Sequence, residues 1–386
     1  EILERSMLFT NDIVALDVSS KCITAMVGVE KSNKFLSVKC EERQTYFGYS
    51  EGEWIDYENV KNVSETVLKR VLGSFKGKRK ILHVSVPAEF LAVTTKKVEV
   101  EYERSKRIID YDVDYLFQKG DDFKEADYRT ISATAIAYSI DDGSWTFEDP
   151  RNFFAQKLAV NASYILCEKK YFSVFNDIAS RLGFKSVQYH PTPLCEILSI
   201  FEKEERFNQQ LLVDVGYLSS SVVVFKGDGV EALKSFSYGW AHIAANLYEM
   251  LEIPFEDAEE LLKQIDLNLY YEENELYTTA SGYDVPIAEA VEIARTSLNV
   301  LVSTVKQAAE ECEFSGSSSL PVYLTGDAFE QFRGAPKYLE RGLLQTVAVV
   351  SPKYPSYNKP QFSSCMSLIE VASRTSGASA GRVIYY

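Results

Sequence analysis

Two stretches of the chain read as buried strands that break at an aspartate. Residues 13–28 run IVALDVSSKCITAMVG, and residues 211–229 run LLVDVGYLSSSVVVFKGDG. In each, a short apolar run reaches Asp17 or Asp214, passes through small and hydroxyl-bearing residues, and resumes as a second apolar run. That pattern predicts a strand, a tight turn and an antiparallel return strand. Such a turn gathers hydroxyls and backbone N–H groups at the mouth of the hairpin, where they can hold a phosphate. A carboxylate at the strand end can orient a metal ion or a water. The plain alternative is an Asp that bonds the backbone of its own turn. The candidates so placed are Asp17, Ser19, Ser20 and Lys21 in the first hairpin, and Asp214, Gly216, Ser219, Ser220 and Ser221 in the second. Each hairpin opens a domain-sized half, which predicts a duplicated α/β fold of two lobes with a ligand clamped between them.

The remaining pattern fills in the lobes. Residues 12–48 alternate apolar strands and turns, as in an antiparallel meander, and 55–73 carry helical spacing up to Gly73. From 80 to 165 the texture changes to strands around Pro87, a charged stretch with a short helix, and two more strands, as expected of a separate α+β subdomain. Helices follow at 170–182 and beyond Pro193, and residues 239–313 are mainly helical. A buried strand, PVYLTG, and helices at PKYLERGL and CMSLIEVASR close the pattern; the tail SGASAGRVIYY is small and polar, then apolar. The expected division is 1–79 with 166–205 as the first lobe, 80–165 as an insert, 206–238 with 320–386 as the second lobe, and 239–319 as its helical subdomain.

At 386 residues the chain is too long for one ordinary core. Its formal charge of −15 argues against nucleic acid and against anionic lipid as a partner of the globular body. The basic run Lys76-Gly77-Lys78-Arg79-Lys80 reads as a solvated loop. No apolar run is long enough to span a bilayer, and Glu1–Ser6 lack the order of a signal peptide. Cys22, Cys40, Cys167, Cys195, Cys312 and Cys365 are scattered singly, as reduced thiols are, and His83, His190 and His242 have no partner at zinc-ligand spacing. The expected setting is cytoplasmic. His242 reads as a packing residue at a helix start.

Taken in order, these segments resemble the bacterial cell-division FtsA family of the actin/Hsp70/sugar-kinase superfamily. The resemblance rests on the two hairpins and on KILHVSVPAEFLAV with its Pro-x-Glu-Phe turn. It rests also on the loop holding Asp142-Gly143 and Phe147-Glu148-Asp149-Pro150, and on HPTPLCEILSI. Gly239, His242 and Ile243, the Ala258-Glu259 segment, VYLTGDAF and PQFSSCMSLIEV complete it. It implies a duplicated actin-like (ribonuclease H-like) two-lobe fold with an FtsA-type insert at 80–165. It further implies ATP between the lobes, with Asp17 and Asp214 holding Mg²⁺ through water and orienting the attacking water. Ser19, Ser20, Lys21, Gly216, Ser219, Ser220, Gly239, Glu259, Lys263, Gly326 and Asp327 would touch the nucleotide. The implied partners are the C-terminal peptide of FtsZ, captured on the 239–313 region, other copies of the chain in a filament, and other division proteins. The implied location is the inner face of the cell membrane, although ASRTSGASAGRVIYY shows no amphipathic anchor.

The departures count against strong nucleotide affinity, and more against hydrolysis: at most a weak ATPase is expected. Ser19 replaces a family glycine, Tyr217 and Leu218 replace small residues, Trp240 replaces a second glycine, and Asp327 and Ala328 follow Gly326 where glycines are usual. Lys263 is one residue off the family's lysine. The alternatives are an adaptor resembling the pilus-assembly protein PilM, which would bind a partner's peptide on the insert, and an ATP-dependent phosphotransferase of the same superfamily.

Overall fold

The computed structural model describes residues 12–30, 36–77, 80–123, 127–314, 320–375 and 384–385. The N-terminal stretch 1–11, Lys78 and Arg79 of the basic run, the Gly/Ser run 315–319 and most of the tail lie outside the described residues.

The first lobe starts with the expected meander: β1 (Asp12–Val18), β2 (Cys22–Glu30) and β3 (Leu36–Thr45), paired antiparallel. A small ribbon, β4 (Tyr49–Ser50) and β5 (Glu53–Trp54), leads into α1 (Tyr57–Leu72). Asp56 caps this helix by accepting from the N–H of Asn59 at 2.9 Å. Val60, Val63, Val67, Leu68 and Val71 are its buried stripe. β6 (Ile81–Val86) then lies beside β1 in parallel.

The insert follows: β7 (Leu91–Arg107), α2 (Asp110–Gly120), β8 (Tyr128–Ile140) and β9 (Phe154–Glu168), with β9 at the centre and its own apolar core. It therefore begins at Leu91 and not at residue 80. The run Ile81–Val86 is buried almost throughout and pairs with strands on both sides, which only a central strand of the first sheet can do. α3 (Lys169–Arg181), β10 (Ser186–Pro191) and α4 (Thr192–Ile200) complete this half.

The second lobe repeats the plan. β11 (Gln210–Val215), β12 (Ser220–Lys226) and β13 (Gly229–Phe236) form the meander. α5 (Trp240–Leu251), α6 (Phe255–Gln264), the ribbon β14 (Leu276–Thr278) and β15 (Asp284–Pro286), and α7 (Ile287–Glu311) form the helical subdomain. β16 (Val322–Thr325), α8 (Ala328–Gln331), α9 (Ala335–Leu343) and β17 (Val347–Val349) lead to α10 (Ser363–Thr375), and β18 (Ile384–Tyr385) pairs with β8. The two main sheets have one topology. Their orders, β10-β6-β1-β2-β3 and β17-β16-β11-β12-β13, correspond strand for strand, with two parallel and two antiparallel pairings in each. The duplication expected from the hairpins is present.

Each lobe also carries a helix from the other half. α10, grouped by sequence with the second lobe, packs on the first sheet: Cys365, Met366, Leu368, Ile369 and Ala372 meet Ile13, Ala15 and Met26. α4, grouped with the first, packs on the second: Leu194, Ile197 and Ile200 meet Leu212, Val223 and Phe225. The apolar stripes alone could not say which sheet each helix would cover. No described helix is long and apolar enough to cross a membrane.

Candidate functional site

The two hairpins face each other across a cleft between the lobes, and β1 and β11 deliver Asp17 and Asp214 to its floor. Asp17 is buried, and its carboxylate accepts from the Ser364 hydroxyl of α10. Ser85 holds the neighbouring backbone, accepting from the N–H of Val18 at 2.8 Å. Burial raises the Asp17 pKa, while the hydroxyls of Ser364 and Ser85 pull it back. Asp214 is partly covered. Burial, then the charges of Asp327, Glu89 and Asp17, push its pKa up to about 7.

Sequence reasoning missed three charged residues of this cleft. Glu196, on α4, is 1% exposed, and burial with Asp214 and Asp17 nearby pushes its carboxyl well above the usual range. Glu89, on the Pro87-x-Glu-Phe turn, accepts from Tyr49 (2.6 Å) and Ser219 (3.2 Å). Arg43, on β3, lies close enough to Asp17 and Asp327 to stabilise both carboxylates. The available signal was a charge inside an apolar run: Glu196 interrupts TPLCEILSI, and such a residue is buried only for a reason.

The remaining candidates divide. Asp17, Ser19, Ser20, Asp214, Gly216, Ser219, Ser220, Gly326 and Asp327 line the cleft; Lys21, Gly239, Glu259 and Lys263 do not. The Ser19 hydroxyl is used within its own turn, accepting from the N–H of Lys21 and of Cys22. Ser20 Oγ accepts from the N–H of Leu218 at 3.0 Å, so one hairpin bonds directly to the other. Ser220 donates to the carbonyl of Tyr238, and Ser221 is buried in β12. Gly326 has φ +101°, and a Cβ there would lie 2.2 Å from Asp214 Oδ1. Gly239 lies against the second hairpin, where a Cβ would meet the carbonyl of Tyr217 at 2.3 Å. The N–H groups of Trp240 and Ala241, which begin α5, donate to the carbonyls of Gly216 and Tyr217. Those N–H groups are the ones a helix start would otherwise offer to a phosphate. His242 accepts from the N–H of Gly239 through Nδ1, consistent with a helix-start role. Lys263 pairs with Glu260 on the surface at 3.1 Å.

Lys21 leaves the cleft and crosses to the second lobe. Its ammonium lies 4.3 Å from the Tyr217 ring centroid, 4.4 Å from that of Trp240, and 3.6 Å from Glu259 Oε1. With the hairpins in contact, the cavity between them is about 70 Å³. Its walls bring the carboxyls of Asp17, Glu89, Glu196, Asp214 and Asp327 together with Arg43 and several serine hydroxyls. Among the described residues no three His, Cys, Asp or Glu side chains come together as a metal site.

No protein-family model matches the chain. Its sequence is 24% identical over 243 residues to cell division protein FtsA of Bacillus subtilis, covering 60% of this chain and 54% of that protein. The chain thus spans about half the length of that curated relative. In fold it is similar to a chain of the PilM–PilN type IV pilus biogenesis complex (TM-score 0.59, 13% identity, 94% of this chain and 98% of that one). It is similar also to MreB5 of Spiroplasma citri bound to AMPPNP (TM-score 0.55, 11% identity, 95% and 97%). The doubled sheet and the facing hairpins give this chain an actin-like two-lobe fold, and its sequence is similar to FtsA over 60% of its length.

Proposed function

We propose that the protein is an FtsA-like adaptor that works through protein contacts, with the two lobes as a rigid frame and the helical subdomain as the capture surface. The observation that carries this reading is the contact between the hairpins, which closes the frame with the chain's own groups. ATP with Mg²⁺ enters the proposal only for an opened cleft, where Asp17 and Asp214 would hold the ion's water. Turnover is not part of it. On the helical subdomain the segment 269–276 exposes Leu269, Tyr270 and Leu276 beside Glu272, Glu273 and Glu275, a surface suited to an apolar peptide with basic flanks. The C-terminal peptide of FtsZ is the partner proposed for it, and self-assembly into filaments is the proposed context.

The test is fluorescence anisotropy with a labelled FtsZ C-terminal peptide on the intact chain. Binding that weakens by roughly tenfold in Leu269→Glu/Tyr270→Glu supports the reading, since that corresponds to about 1.4 kcal/mol of lost contact. No binding, or binding indifferent to the substitutions, overturns it. A thermal-stability titration with Mg·ATP, in which a bound ligand at a hundredfold excess adds about 2.7 kcal/mol, tests the opened cleft separately.

A PilM-like reading is favoured by one observation: Ile384 and Tyr385 pair in parallel with Ser132 and Ala133, so the edge of the insert accepts an extended segment. Beside that edge lies a cavity of about 180 Å³, bordered by Arg129, Phe172 and Tyr189. A labelled peptide of residues 381–386 that bound Ile384→Pro more tightly than the parent chain would support this reading; equal affinity would count against it.

A further inference from the structure

The substitutions that spoil the phosphate site build something else. Tyr217 and Trp240 stand where the resemblance expects small residues, and their rings meet edge to face, with centroids 5.0 Å apart and planes at 72°. Two ring faces in that arrangement form a corner, and the Lys21 ammonium lies in it at 4.3 and 4.4 Å. The third wall is Glu259, whose Oε1 is buried, has no hydrogen bond among the described residues, and lies 3.6 Å from the ammonium. Ring faces carry negative potential, so aromatic corners with a carboxylate are selective for ammonium groups over neutral or anionic ones. The three walls come from the second hairpin, the start of α5 and the middle of α6; the cation comes from the first lobe.

We propose that Tyr217, Trp240 and Glu259 form a binding site for an alkylammonium group, and that Lys21 is its resident occupant. Lys21 thereby ties the first lobe to the second. The site is a cage for a cation, where a phosphate site was expected. This inference rests on the geometry around Lys21 alone and stands whether or not the adaptor reading holds.

The test uses the full chain without nucleotide and follows hydrogen exchange of the Leu218 amide, which is bonded to Ser20 only while the lobes are together. In Lys21→Ala, protection of that amide is expected to fall by roughly tenfold or more. Millimolar n-butylammonium should restore it, and n-butanol, of the same shape without charge, should not. Lys21→Met, which keeps the stem and loses the charge, should behave like the alanine variant without opening a void. Retained protection in Lys21→Met overturns the proposal, as does rescue by the alcohol equal to that by the ammonium, or rescue by neither. A last control is Lys21→Ala/Trp240→Ala, in which n-butylammonium should have no effect. Rescue that persists there places the bound ammonium elsewhere and also overturns the proposal.

Discussion

Replacing Asp214 by Asn should make the protein more stable at pH 8. The carboxylate stands at the end of β11 among Asp327, Glu89 and Asp17, and burial with those charges pushes its pKa up from 3.8 to about 7. The folded chain therefore holds a proton, between those two values, that the unfolded chain has released. The penalty for ionising Asp214 is complete above pH 7 and is relieved as the pH falls toward 3.8. At 1.36 kcal/mol per pKa unit, a shift of about three units sets a ceiling of about 4 kcal/mol. Asp214 is partly open to cleft water, which screens the charge, so about 2 kcal/mol is expected. Asn has the same shape and no charge, and should recover that amount at pH 8. The gain should shrink to under about 1 kcal/mol near pH 5, where most folded molecules already carry the proton. Urea unfolding at pH 8 and pH 5, at one ionic strength, measures both. A variant less stable than the parent at pH 8, or a difference unchanged between the two pH values, would refute the assignment of this charge as a cost to the fold.

Gly326→Ala should cost about 3 kcal/mol or more in the same assay, since φ +101° alone costs about 1–3 kcal/mol and the new Cβ would meet Asp214 Oδ1 at 2.2 Å and the Val215 carbonyl at 2.5 Å. His83 and His190 are buried with their rings bonded to each other at 3.0 Å, and burial lowers the His83 pKa from 6.5 to about 4 and that of His190 well below its usual value. The unfolded chain takes up these protons first, so this contribution is complete above pH 6.5 and is lost as the pH falls toward 4, by about 3 kcal/mol for His83; the stability of His83→Gln, compared with the parent across that window, should fall less steeply. Trp54→Ala, which empties a cluster with Phe90, Tyr171 and Phe175, should cost about 3–5 kcal/mol in urea; a loss below 1 kcal/mol would show the cluster closes over the void.

The parts legible in the sequence were those set by local pattern. The two hairpins and the stripe of α1 each declare their structure within a few residues, and because the hairpin recurs, the doubled sheet followed. What the sequence hid was set by partners far along the chain. Ile81–Val86 looked like the start of an insert because nothing nearby shows that β1 and β10 enclose it. α4 and α10 carry apolar stripes that would suit either sheet. At the site, Asp17 and Asp214 were found by their position at strand ends, whereas the direction of Lys21 depends on rings about two hundred residues distant. Lys263 was carried onto the site by resemblance, one residue off the family's lysine, and the structure leaves it on a solvated helix face paired with Glu260. Glu89 lay inside a motif already noticed, with no role given to its side chain.

The exchange of helices has a consequence for synthesis. The face of the first sheet that holds Ile13, Ala15 and Met26 is covered by α10, and Asp17 is bonded to Ser364, 347 residues later. While the ribosome is still making the second half, that face has no cover of its own. The N-terminal half therefore emerges with an open apolar surface and a partly satisfied buried aspartate, the kind of intermediate that holdase chaperones retain. The core of a lobe whose first strands are translated early is thus completed by one thirteen-residue helix made about 350 residues later.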